Sequence, residues 1–119
     1  MTLTEIIARL EAATGADRRL DAEIARAIGC QVRQWNSATN WQWIAGTEWE
    51  RLPFFTASVD AALTLIPPAH DWSLHCDNGE AVAGCMPASE EGCDWSNCSG
   101  PTPAIALALC IAALKARNV

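Results

Sequence analysis

Apolar positions recur at helical intervals in four stretches of the chain and alternate at period two in several others. Ile6, Ile7 and Leu10 share one side of a helix that Thr2 and Glu5, at capping-box spacing, would open and Gly15 would close. Leu20, Ile24, Ala27 and Ile28 form a second stripe, with Asp17 as cap and Gly29 as stop, and Arg18, Arg19, Glu23 and Arg26 decorate its exposed side. Val59, Ala62, Leu63 and Ile66 predict a third helix, capped by Ser58 and ended by Pro67 and Pro68. The last helix starts at Pro101 or Pro103, runs to about Arg117, and is apolar almost all round. Ile105 and Leu109 lie on one side, Leu107, Ile111 and Leu114 on another, with alanines between. Such a helix is buried on both sides, against a sheet and against either another helix or a second copy of the chain, so a homo-oligomer is one expectation.

Period-two alternation marks the strands. Residues 31–35 alternate loosely, 36–40 are turn-rich, and the runs 41–44 and 48–52 around Ala45-Gly46-Thr47 predict a hairpin. A second hairpin joins 71–76 to 80–86 through Asp77-Asn78-Gly79, where Asn-Gly suits a type I′ turn. Residues 87–100 are a polar loop. Helices mixed with hairpins predict one α+β domain over residues 1–119, with a small, mainly antiparallel sheet and a long buried C-terminal helix.

Composition narrows the setting. Of 119 residues, 50% are hydrophobic and 18% charged, which argues for a globular chain and against disorder. A net charge of −6 and a pI near 4.7 argue against non-specific DNA or RNA binding, which needs Lys and Arg to neutralise phosphates. They leave room for a small anion held by two or three local arginines. The first residues lack the basic and apolar regions of a signal peptide, and the longest uncharged apolar run, 103–114, spans only about 18 Å as a helix. The expectation is a cytoplasmic protein, without membrane association, whose six cysteines are reduced thiols.

Three segments, LDAEIARAIG at 20–29, FTASVDAALTLIP at 55–67 and TPAIALALCIAALKAR at 102–117, resemble in order and spacing the phage ABA sandwich domain, a family of small proteins from bacteriophages and prophages. They cover about a third of the chain. The resemblance implies a layered α/β/α sandwich and a phage gene expressed in the host bacterial cytoplasm; it implies no activity. The matched positions are structural: Thr56 or Ser58 as a cap, Asp60 at the positive end of a helix, Ala61, Ala62 and Leu63 in packing. The tryptophan-rich stretch WQWIAGTEWE at 41–50 and the loop holding Cys93 and Cys98 lie outside the matched motifs.

That stretch is the leading candidate site. It holds three of six tryptophans, in a chain with no tyrosine and two phenylalanines. With 45–47 as a three-residue loop, Trp43 faces Trp49, Trp41 faces Arg51, and all four lie on one face of the hairpin. Such a face can stack a planar base and offer Arg51 to a phosphate, with Arg33 joining from the preceding segment. The same tryptophans can instead anchor the sheet to its helices, although Trp35, Trp41, Trp43, Trp49, Trp72 and Trp95 are too many for one small core. A second cluster, His75, Cys76, Cys85, Cys93 and Cys98, falls within 24 residues. Cys85, Cys93 and Cys98 with His75 are weak candidates for zinc, since their spacing is not that of paired Cys-x2-Cys knuckles; small apolar thiols or a Cys93–Cys98 disulfide are the alternatives.

Support for catalysis is thin. His70, Asp71 and His75 can supply a base, Cys93 or Ser96 a nucleophile, and Glu48 and Glu50 flank Trp49, but no G-x-S-x-G, Gly-rich phosphate loop or HExxH occurs. No enzyme, catalytic residue or cofactor is expected. The first expectation is a non-enzymatic phage protein that sequesters a nucleotide-like immune signal of the host, a sponge acting in counter-defence. The second is an anti-CRISPR-like inhibitor of a host defence protein, ranked lower because the fourteen carboxylates are scattered, with Glu90-Glu91 the only adjacent pair. The third is an accessory structural phage protein.

Overall fold

Caps set the starts of the first two helices. In the computed structural model, which describes residues 2–35, 40–44, 46–87 and 97–117, α1 (Leu3–Ala12) begins where Thr2 Oγ1 accepts the Glu5 amide at 3.3 Å. Helix α2 (Arg18–Ala27) begins where Asp17 Oδ1 accepts the amides of Arg19 and Leu20 at 2.8 and 3.4 Å. Gly29, at φ 95°, turns the chain out of α2. Helix α1 ends at an extended Ala13, before the Gly15 stop expected from the pattern. Helix α3 (Val59–Leu63) is also shorter than its apolar pattern. Ser58 caps it, but the Thr64 hydroxyl donates to the Ala61 carbonyl at 2.6 Å, and Leu65 and Ile66 continue in tight turns that bury Leu65.

The strands form two antiparallel sheets of three, not the single small sheet expected from the hairpins. One is β1 (Gln31–Gln34), β2 (Trp41–Ile44) and β3 (Trp49–Arg51), in that order. The other places β5 (Glu80–Pro87) between β4 (His70–Asp77) and β6 (Asn97–Cys98). The β4–β5 turn is the expected two-residue one, with Asn78 at φ 51° and Gly79 at φ 77°. Strand β6 emerges from the end of the polar loop. Beyond it the Ser99 hydroxyl accepts the Ala83 amide at 2.9 Å, and Thr102 exchanges both backbone hydrogen bonds with Ala81.

Helix α4 (Ile105–Arg117) is the centre of the core. It packs against β5 and β6 and also against α1 and α3, and every residue from Ala106 to Leu114 is buried. Leu107, Leu109, Ile111 and Leu114 are fully enclosed, worth about 2 kcal/mol each in apolar burial. Its end is fixed by Arg117 Nε donating to the Leu65 carbonyl at 2.8 Å and by a 3.5 Å ion pair between Lys115 and Glu11. The all-round apolar character is therefore satisfied inside one chain by sheet and helices together, and that stripe gives no argument for a second copy. The result is an α+β fold of four helices and two small sheets among the described residues, none of whose helices is long and apolar enough to cross a membrane.

Candidate functional site

The register of β2 and β3 divides the tryptophans. Ile44 pairs with Trp49, Trp43 with Glu50 and Gln42 with Arg51. The connection thus runs from residue 45 to 48, one residue longer than expected, and Trp43 does not face Trp49 nor Trp41 face Arg51. A one-residue shift moves a whole strand's side chains to the other face. Trp41 and Trp43 turn inward with Val32. Trp41 is 9% exposed, and Trp43 meets Phe55 edge-on, ring centres 5.8 Å apart at 79°. Arg33, Arg51 and Trp49 share the opposite, outward face, so the structure brings together three of the five expected ligand-binding residues and sets Trp41 and Trp43 behind the sheet.

On that outward face Arg33, Gln42 and Arg51 occupy one rung across three strands. Adjacent strands lie about 4.8 Å apart, so the two arginine backbones are roughly 10 Å apart with Gln42 between them. Arg33 is held in orientation. Its Cζ lies 4.4 Å from the ring centre of Trp35 and 4.1 Å from that of Trp49, and its Nε donates to Gln42 Oε1 at 3.0 Å. The stacked rings and Gln42 leave the two Nη groups as a fixed fork of donors. Neither Arg33 nor Arg51 has an ion pair among the described residues. Trp35, which is 44% exposed, was not among the expected ligand-binding residues. Its signal was in the sequence: it stands two residues after Arg33 in an alternating run, hence on the same face.

A buried polar knot places α2 beside this sheet. Asp21 is 1% exposed and accepts the Thr56 amide and hydroxyl, each at 2.8 Å, and Arg18 Nη1 at 2.8 Å. Arg18 also donates to the carbonyls of Leu52 and Pro53 at 2.8 and 2.9 Å and lies 3.9 Å over the Phe54 ring. Arg18 is thereby committed to structure. Beside it Arg51 opens onto a cleft of about 300 Å³ walled by Trp41 and Phe54.

Of the second candidate cluster, His75 and Cys85 do not converge. His75 pairs with Val82 and Cys85 with Trp72, which puts them on opposite faces of the β4–β5 hairpin. His75 is exposed and Cys85 fully buried. Cys93 and the side chain of Cys98 lie outside the described residues, and so do the loop residues Ser96 and Trp95. Burial pushes the Cys85 thiol up, partly opposed by Arg117. Burial raises Cys110 much further, and its Sγ donates to the Phe55 carbonyl at 3.1 Å, so both behave as protonated core residues. Among the described residues no three His, Cys, Asp or Glu side chains are grouped to hold a metal ion. His70 Nδ1 is 3.0 Å from the Pro68 carbonyl, and Glu48 and Glu50 are exposed. Comparison with models of protein families, with curated proteins and with solved structures found no match.

Proposed function

We propose that the protein is a non-enzymatic binder of a small nucleotide-like anion, and that it serves a phage inside its bacterial host by sequestering such a signal. The observation that carries the binding part is the Arg33 fork, stacked on Trp35 and Trp49 and steadied by Gln42, with Arg51 on the same rung. Bidentate guanidinium donors suit phosphate oxygens, and the exposed indole of Trp35 offers a face to a base. The phage setting, the host cytoplasm and a layered α/β/α arrangement rest on the resemblance of three segments; α4 packed against β5 as well as against α1 and α3 is in keeping with layers.

The test is native mass spectrometry of the purified protein before and after addition of a mixture of linear and cyclic nucleotides. The expected result is a mass gain of one nucleotide per chain, lost in Arg33→Ala/Arg51→Ala and in Trp49→Ala while the circular dichroism spectrum is retained. An unchanged mass at every addition overturns the reading and favours a protein partner.

A further inference from the structure

The other side of the same sheet carries a groove of its own. A groove of about 640 Å³ lies between the end of α1, the exposed face of α2 and the strand ends carrying Gln34 and Trp41. Arg19 and Arg26 of α2, expected to be mere surface decoration, form one of its walls. Ala12, Ala13, Leu20 and the indole of Trp41 give it an apolar lining, and Arg9, Arg19 and Arg26 open onto it. Two carboxylates share the groove, and both are engaged. Asp17 caps α2, and Glu23 pairs with Arg26 at 2.8 Å. Arg9 and Arg19 have no ion pair among the described residues. Arg26 Cζ also lies 5.8 Å from the Trp41 ring centre, which orients cation and indole together.

The distribution of charge makes this groove stand out in an acidic chain. Six of the eight cationic residues are arginines within the first 51 positions, and three of them line this one groove. Arg19 and Arg26 are seven residues apart on α2, hence about 10 Å along its axis. The cations therefore flank a length suited to a small molecule, with an apolar wall beside them. All are arginines, whose planar forks match tetrahedral oxyanions better than a lysine point charge does. We propose that this groove binds a small organic phosphate monoester: the dianionic head is taken by Arg9 and Arg19, and a planar ring lies along the Trp41 and Leu20 wall. The groove lies on the other side of the sheet from the Arg33 fork and shares only Trp41 with the cleft beside Arg51, and its fate does not depend on that reading.

The experiment is a titration of the whole isotope-labelled protein with phenyl phosphate, followed by two-dimensional NMR, with inorganic phosphate and phenol as controls. The expected result is saturable shifts at the amides of Ala12, Ala13 and Leu20 and at the Trp41 indole N–H, with phenyl phosphate bound more tightly than either control. Arg9→Ala/Arg19→Ala should weaken binding about tenfold or more, the loss expected of charge-assisted hydrogen bonds. Arg33→Ala/Arg51→Ala should leave the same shifts intact. Both groove arginines are exposed, so the variant should keep its spectrum; Arg9→Lys/Arg19→Lys, which keeps charge and loses the fork, gives a second measurement with an intermediate loss expected. Shifts that do not saturate at millimolar phenyl phosphate, that fall on Gln42 and Trp49 instead, or that are unaffected by the groove variants would each overturn the proposal.

Discussion

Asp21→Ala removes three hydrogen bonds from the interior at once, and their separate fates set the size of the effect. The Thr56 amide, in a residue 1% exposed, loses the one acceptor it has among the described residues; a buried unpaired N–H costs about 2 kcal/mol. The Thr56 hydroxyl loses less, about 0.5 kcal/mol, because the Asp17 carbonyl is an alternative acceptor at 3.2 Å. Arg18 keeps two carbonyls and the Phe54 ring and remains 22% exposed, so losing its carboxylate costs about 1 kcal/mol. Alanine's better helix propensity returns about 0.5 kcal/mol. The expected net loss is about 3 kcal/mol, or roughly 10 °C in Tm for a chain of this size. Asp21→Asn, which can still accept from the Thr56 amide but turns an NH2 toward Arg18, should lose about half as much. Guanidinium titration followed by circular dichroism measures both, and a constant slope shows that only stability has changed. A loss below about 1 kcal/mol for the alanine variant, or equal losses for both, would refute the idea that this knot seats α2 against residues 52–56.

The two faces of the first sheet predict opposite outcomes for neighbouring tryptophans. Trp43→Ala, which removes the edge-on partner of Phe55, should cost about 3 kcal/mol in the same titration, while Trp49→Ala on the outward face should stay within about 1 kcal/mol; the reverse order would contradict the register. The buried thiols predict a loss of stability in alkali. Burial raises both thiols, so each keeps its proton in the folded chain at a pH where the unfolded chain ionises; the stability so contributed is present below about pH 9 and declines above it, for Cys110 by about 1.4 kcal/mol per pH unit. Cys110→Ala should flatten the pH dependence by one thiol's share; an identical slope in the variant would remove burial as the cause.

What was legible in the chain was local chemistry. The caps Thr2, Asp17 and Ser58 and the Asn78-Gly79 turn act through neighbours in sequence, and each was placed correctly; the last helix ends at Arg117 as expected but begins at Ile105 rather than at Pro101 or Pro103, because Thr102 bridges to Ala81 first. The first hairpin was misplaced by one residue because its strands carry no decisive polarity. Trp49 and Glu50 are both tolerable on either face, and only the long-range packing of Trp43 on Phe55 decides. The role of Arg9, Arg19 and Arg26 was hidden for a similar reason. On a helical projection they are solvated charges; they line a groove only because Trp41, from a distant strand, closes its other side. The second sheet's third strand, Asn97–Cys98, is too short to leave a period in the sequence.

The burial of α4 has a consequence in time. A ribosome delivers every other described element before residues 105–117, yet α1, α3 and β5 all lean on that helix. Until it emerges, the core that holds Ile6, Leu10, Leu65 and Ala83 lacks its central helix. The core therefore completes only after residues 105–117 are made, with α1 meeting a partner about a hundred residues away. A chain halted just short of residue 105 should be a substrate for proteases and chaperones rather than a smaller version of the fold.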